Sequence, residues 1–427
     1  MRHMASEKLK NYKRNYSEVS PKIIKTVSEI IENVRKRGDD AIIEYSRRFD
    51  NVKVESFSIK ATEEEIERAC KNTKEKNSKV FSYFINASKN IFEFHKKQKE
   101  KSFFYKKGKS LYGMIVSPLE RIGVYVPGGS AFYPSTVMMN IIPAIVAGVK
   151  EIYLASPPDT EGKIKNELSI ALAIELGATG IFKVGGAQAI AAFAYGTESI
   201  PAVSKITGPG NIYVAAAKRL VQGIVGIDSI AGPSEVVIFA DESANPEWVA
   251  TDLCAQAEHS GDNMVALIST SEDILKKTEA EIEKILPKLP RREIIEKSLN
   301  ESALFVKVKN YDEGFDILNR LAPEHAEIML KIDMEKILKS VKNAGALFIG
   351  NYTPVATGDY YAGPNHVLPT NGTALFSSPL GVYDFVKHSS VLSLGREYIS
   401  KYGNEIQAMA EFEGLEAHAL SVKIRKR

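Results

Sequence analysis

The sequence predicts an α/β protein, a parallel sheet covered by helices, with helical pieces at both ends of the chain. Three observations predict it. Short β-rich runs at 122–126, 151–155, 181–184, 235–239, 264–268 and 346–349 alternate with helical segments, the pattern of strand–helix–strand units. The first hundred residues carry helical periodicity, and so does the stretch from about Arg396 to Val422. Finally, 427 residues with 44% hydrophobic side chains leave room for two to three domains and a large core.

At the N-terminus, Ser20-Pro21 has the form of a cap and a first-turn proline ahead of Ile23, Ile24, Val27, Ile30, Ile31 and Val34, with Gly38 as the stop. A second helical block runs from Thr62 to about Gln98, with Thr62 and Glu65 in capping-box register. Met1-Arg2-His3-Met4 contains a second start methionine, so residues 1–3 carry no expected element. Segments 124–156 and 236–269 both read strand, loop, proline-started helix, strand, at nearly equal length. The echo suggests a duplicated unit, although any two units of this kind resemble one another. Beyond Tyr352 a loop rich in Gly, Pro, Asn and Thr leads to the helical tail, expected as a separate small piece.

Lys plus Arg number 56 against 53 Asp plus Glu, a net charge of +3 that is too dilute for a nucleic-acid surface. The most apolar stretch, 138–149, contains Asn140 and Pro143 and falls well short of the roughly 20 residues that span a bilayer. Cys70 and Cys254 form no framework of spaced pairs, which points to a reducing, cytoplasmic setting. Neither nucleic acid nor membrane is an expected partner.

Of seven histidines, His3 and His95 lie in Lys-rich sequence and read as solvated. Gln256 and His259 share one face of the helix begun at Pro246, while Cys254 faces elsewhere and reads as a small buried hydrophobe. Asp359 and His366 lie in a Gly/Pro-bounded loop, and Pro323-Glu324-His325 follows an apolar helix at 315–321. On a continuous helix Glu413 and His418 would stand about 140° apart and reach different parts of one ligand. Nitrogen and oxygen donors without thiolate suit Zn²⁺ or a similar divalent ion. Three glycine turns, at 126–130, 184–188 and 208–211, place backbone amides at helix N-termini and suggest a nucleotide cleft. None completes Gly-x-Gly-x-x-Gly, since Tyr213 stands where the third glycine would be sought.

The runs Gly123-Val-Tyr-Val-Pro-Gly-Gly-Ser130, Pro134-Ser-Thr136, Gly185-Gly-Ala-Gln188, Gly208-Pro-Gly-Asn211, Ala231-Gly-Pro-Ser-Glu235, Gln256-Ala-Glu-His259, Pro323-Glu-His325, Gly363-Pro-Asn-His-Val-Leu-Pro-Thr370 and Glu413-Gly-Leu-Glu-Ala-His418 resemble the histidinol dehydrogenase family in order and spacing. The resemblance runs from about residue 20 to the C-terminus. It implies NAD-dependent oxidation of L-histidinol, through L-histidinaldehyde, to L-histidine, the last step of histidine biosynthesis, with two NAD⁺ consumed and one Zn²⁺ per subunit anchoring the substrate.

Matched by motif, the metal ligands would be Gln256, His259, Asp359 and His418, and the acid/base pair Glu324 and His325. The resemblance puts Ser234, His366 and Glu413 at the substrate together with Gln256, His259, His325, Asp359 and His418. Tyr125, Gln188 and Asn211 would contact NAD. It also implies a homodimer with shared sites, each completed by the other subunit's tail.

The expected architecture is two Rossmann-like parallel-sheet domains of duplicated origin. A helical arm spans 1–22. The metal and substrate side takes 23–124 with 236–375, the NAD side 125–235, and the tail 376–427 reaches the partner. Two rivals use the same donors: a zinc hydrolase, which leaves the glycine turns without a purpose, and a non-catalytic metal- or amine-binding protein.

Overall fold

The computed structural model describes residues 2–5, 19–54, 56–128, 133–230, 232–261 and 263–426. An opening strand β1 (Arg2–Ala5) is followed by four helices, α1 (Pro21–Arg37), α2 (Asp39–Phe49), α3 (Glu63–Lys76) and α4 (Ser78–Lys96). The next two strands are β2 (Phe103–Lys107) and β3 (Ser110–Pro118). The first α/β unit runs β4 (Arg121–Tyr125), α5 (Pro134–Ala147), β5 (Glu151–Ser156), α6 (Glu167–Glu175), β6 (Gly180–Lys183), α7 (Gly186–Tyr195), β7 (Lys205–Thr207), α8 (Ile212–Val221), β8 (Gly226–Ile227). The second runs β9 (Glu235–Ala240), α9 (Pro246–Ala257), β10 (Met264–Ser269), α10 (Glu272–Ile285), α11 (Arg292–Ser302), β11 (Leu304–Lys307), α12 (Tyr311–Leu321), β12 (His325–Met329), α13 (Met334–Ser340), β13 (Ala346–Ile349). Then come α14 (Val355–Tyr360), β14 (Val386–Ser393) and the tail helices α15 (Arg396–Phe412) and α16 (Glu416–Lys423).

Local chemistry accounts for the helix starts. Ser20 accepts the Ile23 amide, Thr62 and Glu65 complete their capping box, and Asn211 accepts the amides of Tyr213 and Val214 at the start of α8. The strands wind into two parallel sheets, β6-β5-β4-β7-β8 and β1-β11-β10-β9-β12-β13. Apart from β1, both follow one plan: the first strand central, the next two on one side, the last two on the other. Their opening strand–helix–strand units are the segments that echo in the sequence, so the shared winding supports a duplicated origin. Neighbouring strand residues that are buried in different cores, Val124 and Tyr125 on β4 and Val236 and Val237 on β9, reflect helices on both faces.

Three expectations are corrected. Residues 2–5, expected to be helical or outside the fold, add a parallel edge strand to β11, whose outer edge would otherwise leave its amides and carbonyls open. Residues 6–18 of that arm, together with Gly129, Ser130 and Ala231, lie outside the described residues. Helices α1 to α4, expected on the metal side, pack instead on the other unit. Val27, Ile31 and Ile42 share a core with Phe182 and Phe193, and Phe81 and Ile91 share one with Ile122 and Met138. The 103–118 segment and β14 form an antiparallel sheet, β14-β3-β2, that the sequence reading did not anticipate. Phe103 and Tyr105 on β2 are more than half exposed, so neither strand shows the alternation that marks a buried face.

β8 ends the first sheet at Ile227 and β9 opens the second at Glu235, so the linker between them carries the chain from the C-terminal edge of one sheet to the N-terminal edge of the other. The linker is pinned at its start. The Lys218 and Asp228 side chains, each almost wholly buried, form an ion pair. Asp228 also accepts the Gly208 amide at 2.8 Å, and Lys218 donates to the Gly208 carbonyl at 3.1 Å. Gly208 itself has φ +112° and sits against the Tyr125 carbonyl, where a Cβ would collide with backbone.

Among the described residues no helix is long and apolar enough to cross a membrane. Replacing Lys218 by Met leaves the Asp228 carboxylate buried without its cation, and unfolding in urea should become easier by about 3–5 kcal/mol. The double variant Lys218→Met/Asp228→Leu should recover most of that loss.

Candidate active site

The site is built at the N-terminal edge of the second sheet. Ala322, in the left-handed conformation at φ +42°, ends α12 and turns the chain so that Glu324 and His325 enter β12 beside the start of β9. The Glu324 carboxylate accepts the Glu235 amide at 3.0 Å, and His325 Nδ1 lies 3.0 Å from the Glu235 carbonyl. That carbonyl can only accept, so Nδ1 carries a proton and Nε2 faces the Asp359 carboxylate, 3.7 Å away at the end of α14. Glu324 lies 3.6 Å from Nδ1.

These groups perturb one another strongly. Burial opposes the imidazolium of His325, but the carboxylates of Glu324 and Asp359 and the Glu235 carbonyl outweigh it and raise its pKa to about 9. Glu324, penalised by burial despite the facing imidazole, is raised to about 7. Burial pushes Asp359 up, and the three imidazoles around it, His325, His366 and His259, pull it below its ordinary value. His259 and His366 are lowered by desolvation, with Asp359 opposing in each case. Four expected residues, His259, His325, His366 and Asp359, thus act on one another, with Glu324 alongside.

Ser234 joins them, its Oγ 3.5 Å from His259 Nδ1. Gln256 is buried on the last turn of α9 and its Nε2 has no partner, but the helix ends at Ala257, so His259 stands just beyond it and not, as expected, on a shared helix face. Cys254 is buried in the core beneath α9 and its thiol is pushed up to about 11 by desolvation, in keeping with its reading as a small hydrophobe.

Glu413 and His418 are not brought to this place. Gly414, at φ +74°, ends α15, so the two lie on different helices and the expected shared-helix geometry is replaced by a turn. His418 is exposed on α16, which packs on α15. Among the described residues, no three His, Cys, Asp or Glu side chains converge as a ready-made metal site.

The glycine turns follow β4, β6 and β7, at the C-terminal edge of the first sheet, with β4 and β7 adjacent at the point where the winding reverses. Tyr125 ends β4. Its hydroxyl accepts the Gly186 amide at 3.1 Å, and burial pushes its pKa to about 12. Gln188 is buried on α7 with Nε2 unpartnered. Asn211 is exposed; its oxygen is committed to capping α8, which leaves its amide nitrogen for a ligand.

Sequence reading missed a buried acid pair under the site. Asp252 on α9 hydrogen-bonds Glu327 on β12, and Glu327 accepts the Val355 amide at 2.9 Å at the start of α14. Its signal was periodicity: Asp252 is four residues before Gln256 on a helix, and Glu327 is two after His325 on a strand. Desolvation, and for Glu327 the neighbouring Asp252, hold both carboxyls above their ordinary values. A carboxyl so raised keeps its proton in the folded chain and loses it in the unfolded one. Stability therefore falls as the pH rises from 4.5 towards neutrality. Glu327→Gln keeps an acceptor for Val355 and should flatten that fall, read as Tm against pH.

Residues 12–426 match the family model for histidinol dehydrogenase. Histidinol dehydrogenase from Bacillus subtilis is 48% identical over 404 residues, 94% of this chain and 93% of that protein. The enzyme of the same name from Aquifex aeolicus is 47% identical over 402 residues, 94% of this chain and 92% of its own length. The crystal structure of histidinol dehydrogenase from Elizabethkingia anophelis superposes with a TM-score of 0.93 at 36% identity, covering 100% of this chain and 98% of that one. By sequence over nearly its whole length, and by fold, this chain belongs to the histidinol dehydrogenase family.

Proposed function

We propose that the chain oxidises L-histidinol through L-histidinaldehyde to L-histidine, passing one hydride to each of two NAD⁺. The arrangement that supports this most is a short connection between two sheet edges. Glycine turns suited to a dinucleotide lie at one, and an imidazole–carboxylate cluster lies at the other, joined by the short linker that begins at Asp228.

The donors fit a divalent cation. His259 and Asp359 act on each other, Gln256 offers a buried carboxamide oxygen, and nitrogen and oxygen donors suit zinc. Gln256, His259 and Asp359 would hold it, with the partner subunit's His418 as the fourth ligand. Bound there, zinc would anchor the substrate through its nitrogen donors and take up the Asp359 charge.

His325, fixed through Nδ1 on the Glu235 carbonyl, is held protonated in part by the Asp359 charge; with that charge taken up by a bound cation its neutral form is favoured, and Nε2 can take the proton from the alcohol as hydride leaves. Water then adds to the aldehyde, and Glu324 takes its proton before the second hydride leaves. Ser234, His366 and the partner subunit's Glu413 orient the substrate, while Tyr125, Gln188 and Asn211 contact NAD. The site would have to hold the aldehyde while one cofactor molecule is exchanged for the next.

His325→Asn should keep zinc at one per subunit and lose roughly 10²- to 10⁴-fold in turnover, the usual worth of a general base. Wild type should yield two NADH per histidinol. Hydrolysis without NADH, or binding without turnover, would favour the two rivals.

We infer a homodimer because the tail carries unburied apolar groups. Phe412 is 94% exposed and Met409 68%, and His418 is exposed on α16, which packs on α15. The free thiol of Cys70 and the buried one of Cys254 suit a cytoplasmic setting. Mixing His259→Asn with His418→Asn subunits tests the shared site. In a mixed dimer one site collects both defects and the other neither, so activity should return towards about a quarter of wild type. Demonstrated subunit exchange with no recovery would overturn the trans arrangement.

A further inference from the structure

His95, expected to be solvated, is fully buried near the end of α4. Its Nδ1 lies 2.8 Å from the Gln98 side-chain oxygen, which also accepts the Val382 amide at 3.1 Å. An oxygen accepting there requires a proton on Nδ1, so His95 Nε2 is an acceptor. Facing it at 3.3 Å is the side-chain nitrogen of Asn365, the residue before His366.

Asn365 is fully committed. Its nitrogen also donates to the Met139 carbonyl at 2.7 Å, and its oxygen accepts the Val367 amide at 2.8 Å. The Met139 carbonyl is available because Pro143, four residues on within α5, has no N–H to offer it. The same loop leans on α4 at two further points. Asn90 donates to the Tyr361 carbonyl at 3.0 Å, and Gly363, at φ +122°, lies on the Asn90 backbone where a Cβ would be 3.0 Å from its carbonyl.

We propose that His95 is a positioning residue for the substrate: through Nε2 it fixes the Asn365 amide, and through Asn365 it holds the His366 loop between α4 and α5. A flipped Asn365 amide would set its oxygen against the Met139 carbonyl and its nitrogen against the Val367 amide. His95 adds a third contact that only one orientation satisfies. The inference rests on the placing of His366 at the substrate, so that placing is tested alongside.

Two conservative variants separate positioning from packing. In His95→Gln the side-chain amide reaches the position of Nε2 and can accept from Asn365. In His95→Asn it reaches only the position of Nδ1, keeping the Gln98 contact and losing Asn365. Steady-state kinetics on the purified enzyme should give His95→Asn a histidinol KM about tenfold higher, with the KM for NAD⁺ within about twofold of wild type, the size expected from one buried hydrogen bond. His95→Gln should stay within about threefold of wild type in both. Equal KM values for the Asn and Gln variants, or a rise in both substrates' KM together, would overturn the proposal. His366→Ala is the companion measurement. If it leaves the histidinol KM unchanged, the placing of His366 fails; if it raises that KM while His95→Asn does not, only the role of His95 fails.

Discussion

The constraint on which the site depends is the direct passage from β8 to β9. Two parallel sheets built on one plan would ordinarily present their C-terminal edges to ligands, each on its own. Here the chain leaves the C-terminal edge of the first and enters the second at its N-terminal edge. The second unit offers the start of its central strands, Ser234 and Glu235 on one and Glu324 and His325 on the other. Asp228, at the head of the linker, also holds the Gly208 turn, so one buried ion pair fixes both the turn and the path of the chain between the units.

Around that junction, charge is kept in balance by opposed pairs. Two carboxylates flank His325, three imidazoles surround Asp359, and a proton-sharing pair lies one layer deeper, where α9, β12 and α14 meet. Each unit of charge costs desolvation and is offset by a neighbour of known position. Rigid strands and helices carry most of these groups, and burial holds them in place.

Much of this was legible in the sequence. The helix starts at Ser20 and Thr62, the strands β4, β5, β6, β9, β10 and β13, and the residues grouped around Asp359 follow from capping, periodicity and motif, whereas the short β7, β8 and β11 were not read as strands. Other features were hidden for physical reasons. β12 carries His325 and Glu327 on one face, so its apolar pattern is broken by chemistry. β2 and β14 lack a buried face, and α1 to α4 are amphipathic without naming the sheet they cover. His95 sits among lysines that point outward while it points in. Turn geometry at Gly414 separates Glu413 from His418, which spacing alone had joined.

Pro143 gives the molecule a feature of a different kind. A proline inside α5 forfeits a backbone hydrogen bond and weakens the helix by about 3 kcal/mol relative to alanine. The forfeited carbonyl, at Met139, is where Asn365 attaches. A helix made locally more stable would reclaim that carbonyl and release the loop beside His366. The protein gives up regularity in one element for adhesion between two, and a search for stabilising substitutions guided by helix propensity would select against that joint.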